Sequence, residues 1–475
     1  MKPIVAEGGE ANAERTPSVR WALASLSLSM LLPSLGTSIA NVALPSLAKA
    51  FDAAFQDVQW IVLAYLLTIT ILIVSVGRLG DTTGRRRLLL IGILLFTLAS
   101  ILCGLAPTLS TLIAARALQG LGAAIMMALT MAFVGETVPR ARIGSAMGLL
   151  GATSAIGTAL GPSLGGVLIT GFGWPAIFLV NAPLGVLTFA LAYRHLPADS
   201  SRGKSDRAGF DIAGTLLLAL TLSAYALAMT IGHGRFGPLN VALLLAAALG
   251  TGFFVFVEAR TASPLIRLAA FRNPVMSASL AMNALVSTVM MATLVVAPFY
   301  LSRALGLDQA LVGIVMSIGP VISTLSGVPA GRLVDRMGAP FVIIAGLAAM
   351  AAGSIALTVF SGIAGYIAAI AILTPGYQLF QAANNTTVMM DVRPEQRGVI
   401  SGMLNLSRNL GLITGASVMG AVFALASATS DVAMARPEAV ASGMRTTFAV
   451  AAALIAAALA IAAQTYRRRR APDPG

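Results

Sequence analysis

Fourteen long apolar stretches constrain what this sequence can fold into more than any other feature. A helix needs about 20 apolar residues to cross the roughly 30 Å of hydrocarbon in a bilayer. Only 10% of the 475 residues are charged, against about 25% in soluble domains, so lipid rather than water surrounds most of the chain. We therefore predict an all-α integral membrane protein with fourteen transmembrane helices. The predicted spans are 21–45, 58–78, 87–106, 110–136, 144–170, 175–195, 210–231, 239–258, 275–300, 310–331, 340–360, 363–389, 399–426 and 444–466.

The basic residues alternate between loops in a way that orients these spans. If both termini lie in the cytoplasm, the inner segments hold 24 of the 31 lysine and arginine residues, and the outer loops hold five. The remaining two, Arg116 and Arg408, fall inside predicted spans. Because cytoplasmic loops carry an excess of Lys and Arg, the sequence predicts a multi-pass protein of the inner (plasma) membrane with cytoplasmic termini.

Other classes of protein are excluded by the charge pattern and by the scarcity of reactive side chains. The net charge of +13 is spread through short loops, which argues against a nucleic-acid surface. The single cysteine, Cys103, cannot form an intramolecular disulfide. His195 and His233 lie far apart in the sequence, so no metal site is predicted. No span carries a catalytic constellation and no glycine-rich phosphate loop with a lysine is present, so we expect neither an enzyme nor a cofactor.

A short internal repeat indicates two related halves. Residues 77–84 read Gly-Arg-Leu-Gly-Asp-Thr-Thr-Gly and residues 331–338 read Gly-Arg-Leu-Val-Asp-Arg-Met-Gly, with five of eight positions identical. Each copy falls at the inner end of the second span of its half. Two related halves around a central pathway are typical of transporters.

The longest predicted inner loops, 196–209 and 259–274, bracket one pair of spans. Removing that pair leaves six spans on each side, and no segment outside the membrane is long enough to fold alone. The predicted organisation is an inner tail at 1–20, a six-helix half at 21–195, a linker with an inserted transmembrane pair at 196–274, a second six-helix half at 275–466 and a basic inner tail at 467–475.

Several motifs resemble those of the major facilitator superfamily, and of its fourteen-span drug:proton antiporter branch in particular. Residues 77–87 resemble the family's loop signature, residues 116–122 its fourth-helix signature, and residues 157–166 the fifth-helix signature of its antiporters. Further matches to the branch are the stretch 39–45, Trp60, Tyr65 and the stretch 407–411. The resemblance runs from about residue 21 to 466. It implies the major facilitator fold and secondary transport, with small molecules and protons as partners and a functional monomer in the bilayer.

The resemblance also implies a charge network that locks the inner face in one state of the transport cycle. We expect Asp81 to accept hydrogen bonds from helix-end amides, and Arg85 to pair with Asp81 or with Glu136. The alternative is a solvated loop that only sets the topology. The predicted gating and coupling residues are Gly77, Asp81, Gly84, Arg85, Arg116, Glu136, Gly157, Gly161, Pro162, Gly165, Gly166 and Asp335.

Arg116 lies inside the fourth span, where an arginine costs ~2.5–3.5 kcal/mol at a helix centre. We therefore expect it to face a polar cavity or a partner, with Gln119 on the same helix face. The alternative is an arginine whose side chain extends to the outer interface.

The fifth span carries glycines spaced by four. Gly157, Gly161 and Gly165 fall on one helix face and permit close approach of a neighbouring helix. Pro162 removes a backbone donor beside them. The family pattern favours a bendable helix suited to alternating access, and the alternative is ordinary packing of small residues.

Polar side chains in the other spans suggest a lining for the substrate pathway, since interior-facing amides and aromatic rings recognise small molecules. The alternative is interhelical hydrogen bonding without substrate contact. The predicted pathway residues are Asn41, Tyr65, Gln119, Tyr377, Gln378, Gln381, Asn405 and Arg408.

The sequence departs from the branch at one position that matters for mechanism. Members usually carry an aspartate in the first helix five residues before the asparagine matched by Asn41, and this chain has Gly36 there. No other acidic residue is predicted near the middle of a span. A buried carboxylate can exchange a proton for a cation, so we hypothesise that a pathway with Arg116 and Arg408 takes neutral or anionic substrates. Export by proton antiport remains the leading prediction, and an uptake symporter or uncoupled carrier is the alternative.

Overall fold

The computed structural model describes residues 16–53, 55–198, 211–230, 237–261, 264–266, 268–390, 392–427 and 436–470. These ranges hold fourteen helices long and apolar enough to cross a membrane, which confirms the predicted number, and no β-strand occurs within them. Residues 1–15, 199–210 and 471–475, which belong to the predicted tails and linker, lie outside the described residues. The helices are α1 Thr16–Ala50, α2 Phe55–Thr83, α3 Arg85–Gly104, α4 Leu109–Thr137, α5 Ile143–Phe172, α6 Ala176–His195, α7 Ile212–Thr230, α8 Pro238–Glu258, α9 Pro274–Phe299, α10 Gln309–Met337, α11 Ala339–Val359, α12 Gly362–Met390, α13 Arg397–Ala426 and α14 Pro437–Arg470.

The helices pack as two groups of six with an extra pair beside them. In the first group α5 packs on α1, and α4 on α2 and α3; in the second, α13 packs on α9, and α12 and α14 on α11. The groups meet where α5 lies against α10 and where α2 lies against α13. These two contacts pair the second helix of one half with the fifth helix of the other, so the halves are related by an approximate two-fold axis.

The inserted helices α7 and α8 pack on each other, and α7 also contacts α2 and α13. Tyr225 of α7 shares a hydrogen bond with the Thr414 hydroxyl of α13, and Ser417 donates one to the Met229 carbonyl. Most large side chains of α8 are exposed, including Leu249 at 76%. Helix α7 is therefore held at the boundary between the halves, while α8 presents an apolar surface suited to lipid.

The predicted spans 58–78 and 87–106 left residues 79–86 as a loop between them, and this prediction was wrong. Helix α2 continues to Thr83 and α3 begins at Arg85, so Gly84 is the one non-helical residue between them. Its φ of 108° lies in the region that favours glycine, and Gly338 occupies the equivalent place after α10 with φ of 82°. Falling hydropathy marks where a helix leaves the hydrocarbon, whereas its backbone hydrogen bonds continue beyond that depth.

We call the membrane face at these turns the basic side. It is defined by Gly84, Gly338 and the two 3-10 turns Arg140–Arg142 and Pro394–Gln396, which come directly before α5 and α13. Each turn places the first amides of its helix at the boundary between the halves.

Candidate functional site

A buried charge cluster lies at the basic end of α2. Arg85 donates to Asp81 Oδ1 from Nε at 3.0 Å and from Nη2 at 2.6 Å, and its Nη1 donates to Glu136 at the end of α4. It also donates to the Pro394 carbonyl of the other half. The side chain of Asp81 is 1% exposed and that of Glu136 is 28% exposed. Arg85 thus pairs with both predicted acids, and its own buried charge is matched by Asp81.

Asp81 also joins the two halves. Its Oδ1 accepts the Gly398 N–H at 2.9 Å and its Oδ2 accepts the Val399 N–H at 3.0 Å. These amides belong to the first turn of α13, where N–H groups have no partner within the helix and carry partial positive charge. The contact is possible because Gly77 and Gly398 bring the backbones of α2 and α13 together, and a methyl group at either position would collide with the other helix.

Asp335 repeats this arrangement in the second half. Its Oδ1 accepts the Gly144 N–H at 2.9 Å, and its Oδ2 accepts the Ser145 N–H at 2.9 Å and the Ser145 hydroxyl. In both halves the bonded amides are the second and third residues of a helix from the opposite half. Gly331 packs against Gly144 as Gly77 packs against Gly398. The internal repeat therefore encodes two symmetry-related helix caps across the interface.

Sequence reasoning missed the partners of these aspartates. Gly144 and Gly148 lie in the first two turns of α5, and Gly398 and Gly402 lie in the first two turns of α13. The two glycines of each pair are spaced by four. A methyl group at any of these glycines would collide with the facing helix of the other half. This second repeat, which begins two residues after Arg142 and one residue after Arg397, was the signal that could have located the partners.

Arg116 is completely buried inside the first half. Its Nε donates to the Ile61 carbonyl at 3.0 Å, its Nη1 donates to Gln119 at 2.5 Å, and Gln119 donates in turn to Ser100 at 2.7 Å. The guanidinium lies 4.1 Å from the centre of the Tyr65 ring, a cation–π geometry. The side chain therefore does not extend to the outer interface, and no carboxylate pairs with it among the described residues.

Two residues that were predicted to line the substrate pathway share the surroundings of Arg116. Tyr65 and Gln119 are both completely buried, and Tyr65 donates to the Pro33 carbonyl of α1 at 2.9 Å. A Cβ at Gly36 would meet the Tyr65 hydroxyl and the Phe96 ring at 3.5 Å, an ordinary contact distance. The place of the missing aspartate is thus next to Tyr65 and has room for a Cβ atom. Asn41 is exposed, and its amide donates to the Thr37 carbonyl of its own helix at 3.1 Å.

Two amide side chains, Gln378 of α12 and Asn405 of α13, contact the opposite half. Gln378 donates to Ser323 of α10, and its carbonyl oxygen would be 3.1 Å from a Cβ at Gly151 of α5. Gln381 donates to the Tyr377 hydroxyl at 2.9 Å, and its carbonyl oxygen has no partner. Asn405 contacts the Met131 sulfur of α4 at 3.3 Å. Gln378 and Asn405 of the second half therefore face a glycine and a methionine of the first half.

Arg408 is half-buried in α13, and its Nε is a buried donor without a hydrogen-bond partner. At 100° per residue, it falls roughly 60° around the helix from Asn405 and roughly 60° from Gly411, which packs on α9. On the surface of α13, Arg408 therefore falls between the face that contacts α4 and the face that packs on α9. No acid of the described ranges forms an ion pair with it.

The glycine face of α5 packs within its own half. Gly157 and Gly161 lie against α1, where Ser38 donates to the Gly157 carbonyl at 3.1 Å, and Gly165 is buried on the same face. Pro162 lies in a helix that runs without a break from residue 143 to 172. Gly166 is next to this face, and a methyl group there would meet no atom within 4 Å. The structure thus shows close packing of α1 and α5 and leaves the predicted bending as a prediction.

Comparisons with known proteins agree with this architecture. The family model of the Major Facilitator Superfamily matches residues 26–416, and also 279–475. The riboflavin transporter RibZ of Clostridioides difficile is 31% identical over 85% of this chain and 88% of its own. The multidrug resistance protein Stp of Mycobacterium tuberculosis is 32% identical over 85% of this chain and 75% of its own. The crystal structure of the human organic anion transporter MFSD10 (TETRAN) superposes with a TM-score of 0.68 at 14% identity, covering 94% of this chain and 99% of that one.

Proposed function

The chain belongs to the major facilitator superfamily, and we propose that it exports small organic compounds across the inner membrane by alternating access in exchange for protons. As a family member it is a membrane transporter of small molecules and not an enzyme. The observation that carries the export proposal is the similarity, over 85% of this chain, to a protein described as a multidrug resistance protein. The antiporter-type glycine face on α5, packed against α1, supports it.

The closed contact on the basic side supports alternating access. Helices α5 and α10 approach closely at Gly144, Gly148, Gly327 and Gly331, all in the parts of these helices nearest the basic side. A methyl group at Gly313, near the opposite end of α10, would meet no atom within 4 Å. By the positive-inside rule the basic side is cytoplasmic, so we infer a conformation closed to the cytoplasm, with both termini there.

Substrate charge is the second part of the proposal. Arg408 is half-buried and has no ion-pair partner in the described parts of the chain, and Gly36 replaces the acid of the first helix. An uncompensated cation favours neutral or anionic compounds over cations. The similarity to a riboflavin transporter favours a second candidate, a carrier of neutral or anionic metabolites that works by uptake or without coupling.

Inverted membrane vesicles with an acidic interior test the coupling. Cationic, neutral and anionic compounds are added one at a time while a fluorescent dye reports the pH gradient, with vesicles lacking the protein as the control. We expect anionic or neutral compounds to dissipate the gradient only when the protein is present. Uptake of a labelled compound without any change in the gradient would rule out proton exchange and favour the uncoupled carrier.

The substitution Arg408→Ala tests the substrate charge in the same assay. We expect it to lower anion transport about tenfold, which corresponds to ~1.4 kcal/mol, and to affect cations much less. Arg303→Ala, which removes an exposed arginine near the opposite membrane face, is the matched control. Equal losses for anions and cations would contradict a role in charge selection.

A further inference from the structure

Two carboxyl groups lie side by side at the end of the inserted helix pair where α7 begins and α8 ends. Asp211 precedes α7, and Glu258 is the last residue of α8. A methyl group on Gly214 would collide with both Asp211 Oδ2 and Glu258 Oε1, so the two oxygens share one small space. Glu258 is only 3% exposed. The two acids are therefore adjacent, with Glu258 buried and Asp211 half-buried.

Each carboxyl is held by one backbone amide, and its second oxygen has no partner. Asp211 Oδ1 accepts the Gly214 N–H at 2.7 Å, and Glu258 Oε2 accepts the Ile266 N–H at 3.4 Å. Asp211 Oδ2 and Glu258 Oε1 are both buried without a hydrogen bond. The two oxygens without a partner therefore both lie against Gly214.

Among the residues that the structure describes, no basic side chain forms an ion pair with either acid. The described ion pairs of the chain are those of Arg85, and Arg260, two residues beyond Glu258, lies 4.0 Å from the centre of the Phe256 ring. No third histidine, cysteine, aspartate or glutamate of the described residues joins the pair to make a metal site. Two adjacent carboxylates without a counter-charge cannot both remain ionised at low cost.

We propose that Asp211 and Glu258 form a proton-binding dyad that holds one shared proton at neutral pH. The shared proton links the start of α7 to the end of α8. The proton turns one carboxyl into an O–H donor and leaves the other as its acceptor, which satisfies both orphan oxygens. Helix α7 contacts α2 and α13 and bonds to α13 through Tyr225 and Thr414. The protonated dyad therefore holds in place a helix that contacts both halves. Loss of the proton leaves two carboxylates that repel each other, which weakens the contact between the start of α7 and the end of α8.

Infrared difference spectroscopy of the purified full-length protein tests the proton directly. We expect a protonated-carboxyl band at neutral pH that is lost in Glu258→Gln and in Asp211→Asn. Asp308→Asn is the matched control, because Asp308 also caps a helix through its side chain, at the Leu311 N–H at 2.8 Å, and is exposed. A wild-type band that persists in both dyad variants, or no band at all, would overturn the proposal.

Thermal unfolding against pH gives a second readout that does not require transport. The folded state binds the proton more tightly than the unfolded chain, so its stability is present at low pH and is lost as the pH rises. We expect the wild-type melting temperature to fall by a few degrees more than that of Glu258→Gln between about pH 6 and about pH 9, since the amide supplies a permanent donor. Stabilisation of the wild type by sodium or calcium at fixed pH, absent in Glu258→Gln, would show that a metal cation occupies the site and overturn the dyad.

Discussion

The Asp81 and Asp335 contacts share one geometry, but only Asp81 also forms an ion pair with a described residue. Each aspartate caps the first turn of a helix from the opposite half with both oxygens. Asp81 is buried and bonded to Arg85, whereas Asp335 is exposed and forms no ion pair with a described residue. At the position of Arg85 the second copy of the repeat has Ala339. The two-fold repeat thus preserves the cap, and only the first half adds an electrostatic lock to it.

This difference predicts unequal roles in closing the basic side. Hydrogen bonds to charged groups contribute about 1.5–3 kcal/mol each, and a buried charge that loses its partner carries a further penalty. Solvent screening weakens the same interactions at an exposed site. We therefore expect the Asp81 contact to dominate the closed state and the Asp335 contact to support it.

The largest effect is expected for Asp81→Asn. The neutral amide leaves Arg85 buried without its main partner and weakens the cap on α13, so we expect transport to fall at least tenfold, or ~1.4 kcal/mol or more. Access from the basic side is measured by maleimide labelling of Ser401→Cys, a buried α13 position, in a Cys103→Ser background. Labelling should rise with the loss of transport. Unchanged labelling would show that Asp81 does not hold the closed state.

Next in size is Arg85→Ala, which we expect to reduce transport about tenfold. The effect of Arg85→Ala in variants of the two aspartates shows which of them acts together with Arg85. In an Asp81→Asn background the same change should add little, because residues in one network are not additive, whereas in an Asp335→Asn background the two losses should multiply. Initial transport rates of the wild type, the two single variants and the double variant in each background measure this coupling. Independent effects of Arg85 and Asp81 would contradict a shared lock.

The fold could be predicted largely from the sequence because hydropathy and loop charge report directly on the membrane. The fourteen spans follow from apolar length, and the equivalence of Asp81 and Asp335 follows from the repeat. The helical ends of α2 and α10 could not be found this way, since hydropathy falls while the helix continues.

The partners of the site residues were harder to predict. The bonds from Asp81 to the α13 amides join residues more than 300 positions apart, and backbone donors leave no mark in a side-chain pattern. For Arg116, the spacing to Gln119 indicated a shared helix face, whereas Ile61 and Tyr65 are brought to it only by the packing of α2 on α4. Tertiary packing also buried Tyr65 and Gln119 in the core of the first half.

A smaller effect is expected for Asp335→Asn. The amide keeps one acceptor oxygen for the α5 amides, and no buried arginine loses its partner, so we expect transport to fall about threefold, or ~0.7 kcal/mol. The ratio of the Asp81→Asn loss to the Asp335→Asn loss, measured in the same proteoliposomes, is the decisive number. Equal losses would mean that the caps, and not the charges, carry the closed state.

The smallest effect is expected for Glu136→Gln. The Glu136 side chain is 28% exposed and is the second partner of Arg85, which keeps both bonds to Asp81 and the bond to the Pro394 carbonyl. Pairs with solvent access contribute about 0–1 kcal/mol and are screened by salt, so we expect less than a twofold change in rate, and a smaller one at high ionic strength. A loss as large as that of Asp81→Asn would instead make Glu136 a participant in transport, for example as a proton carrier, and the lock would then be part of the coupling itself.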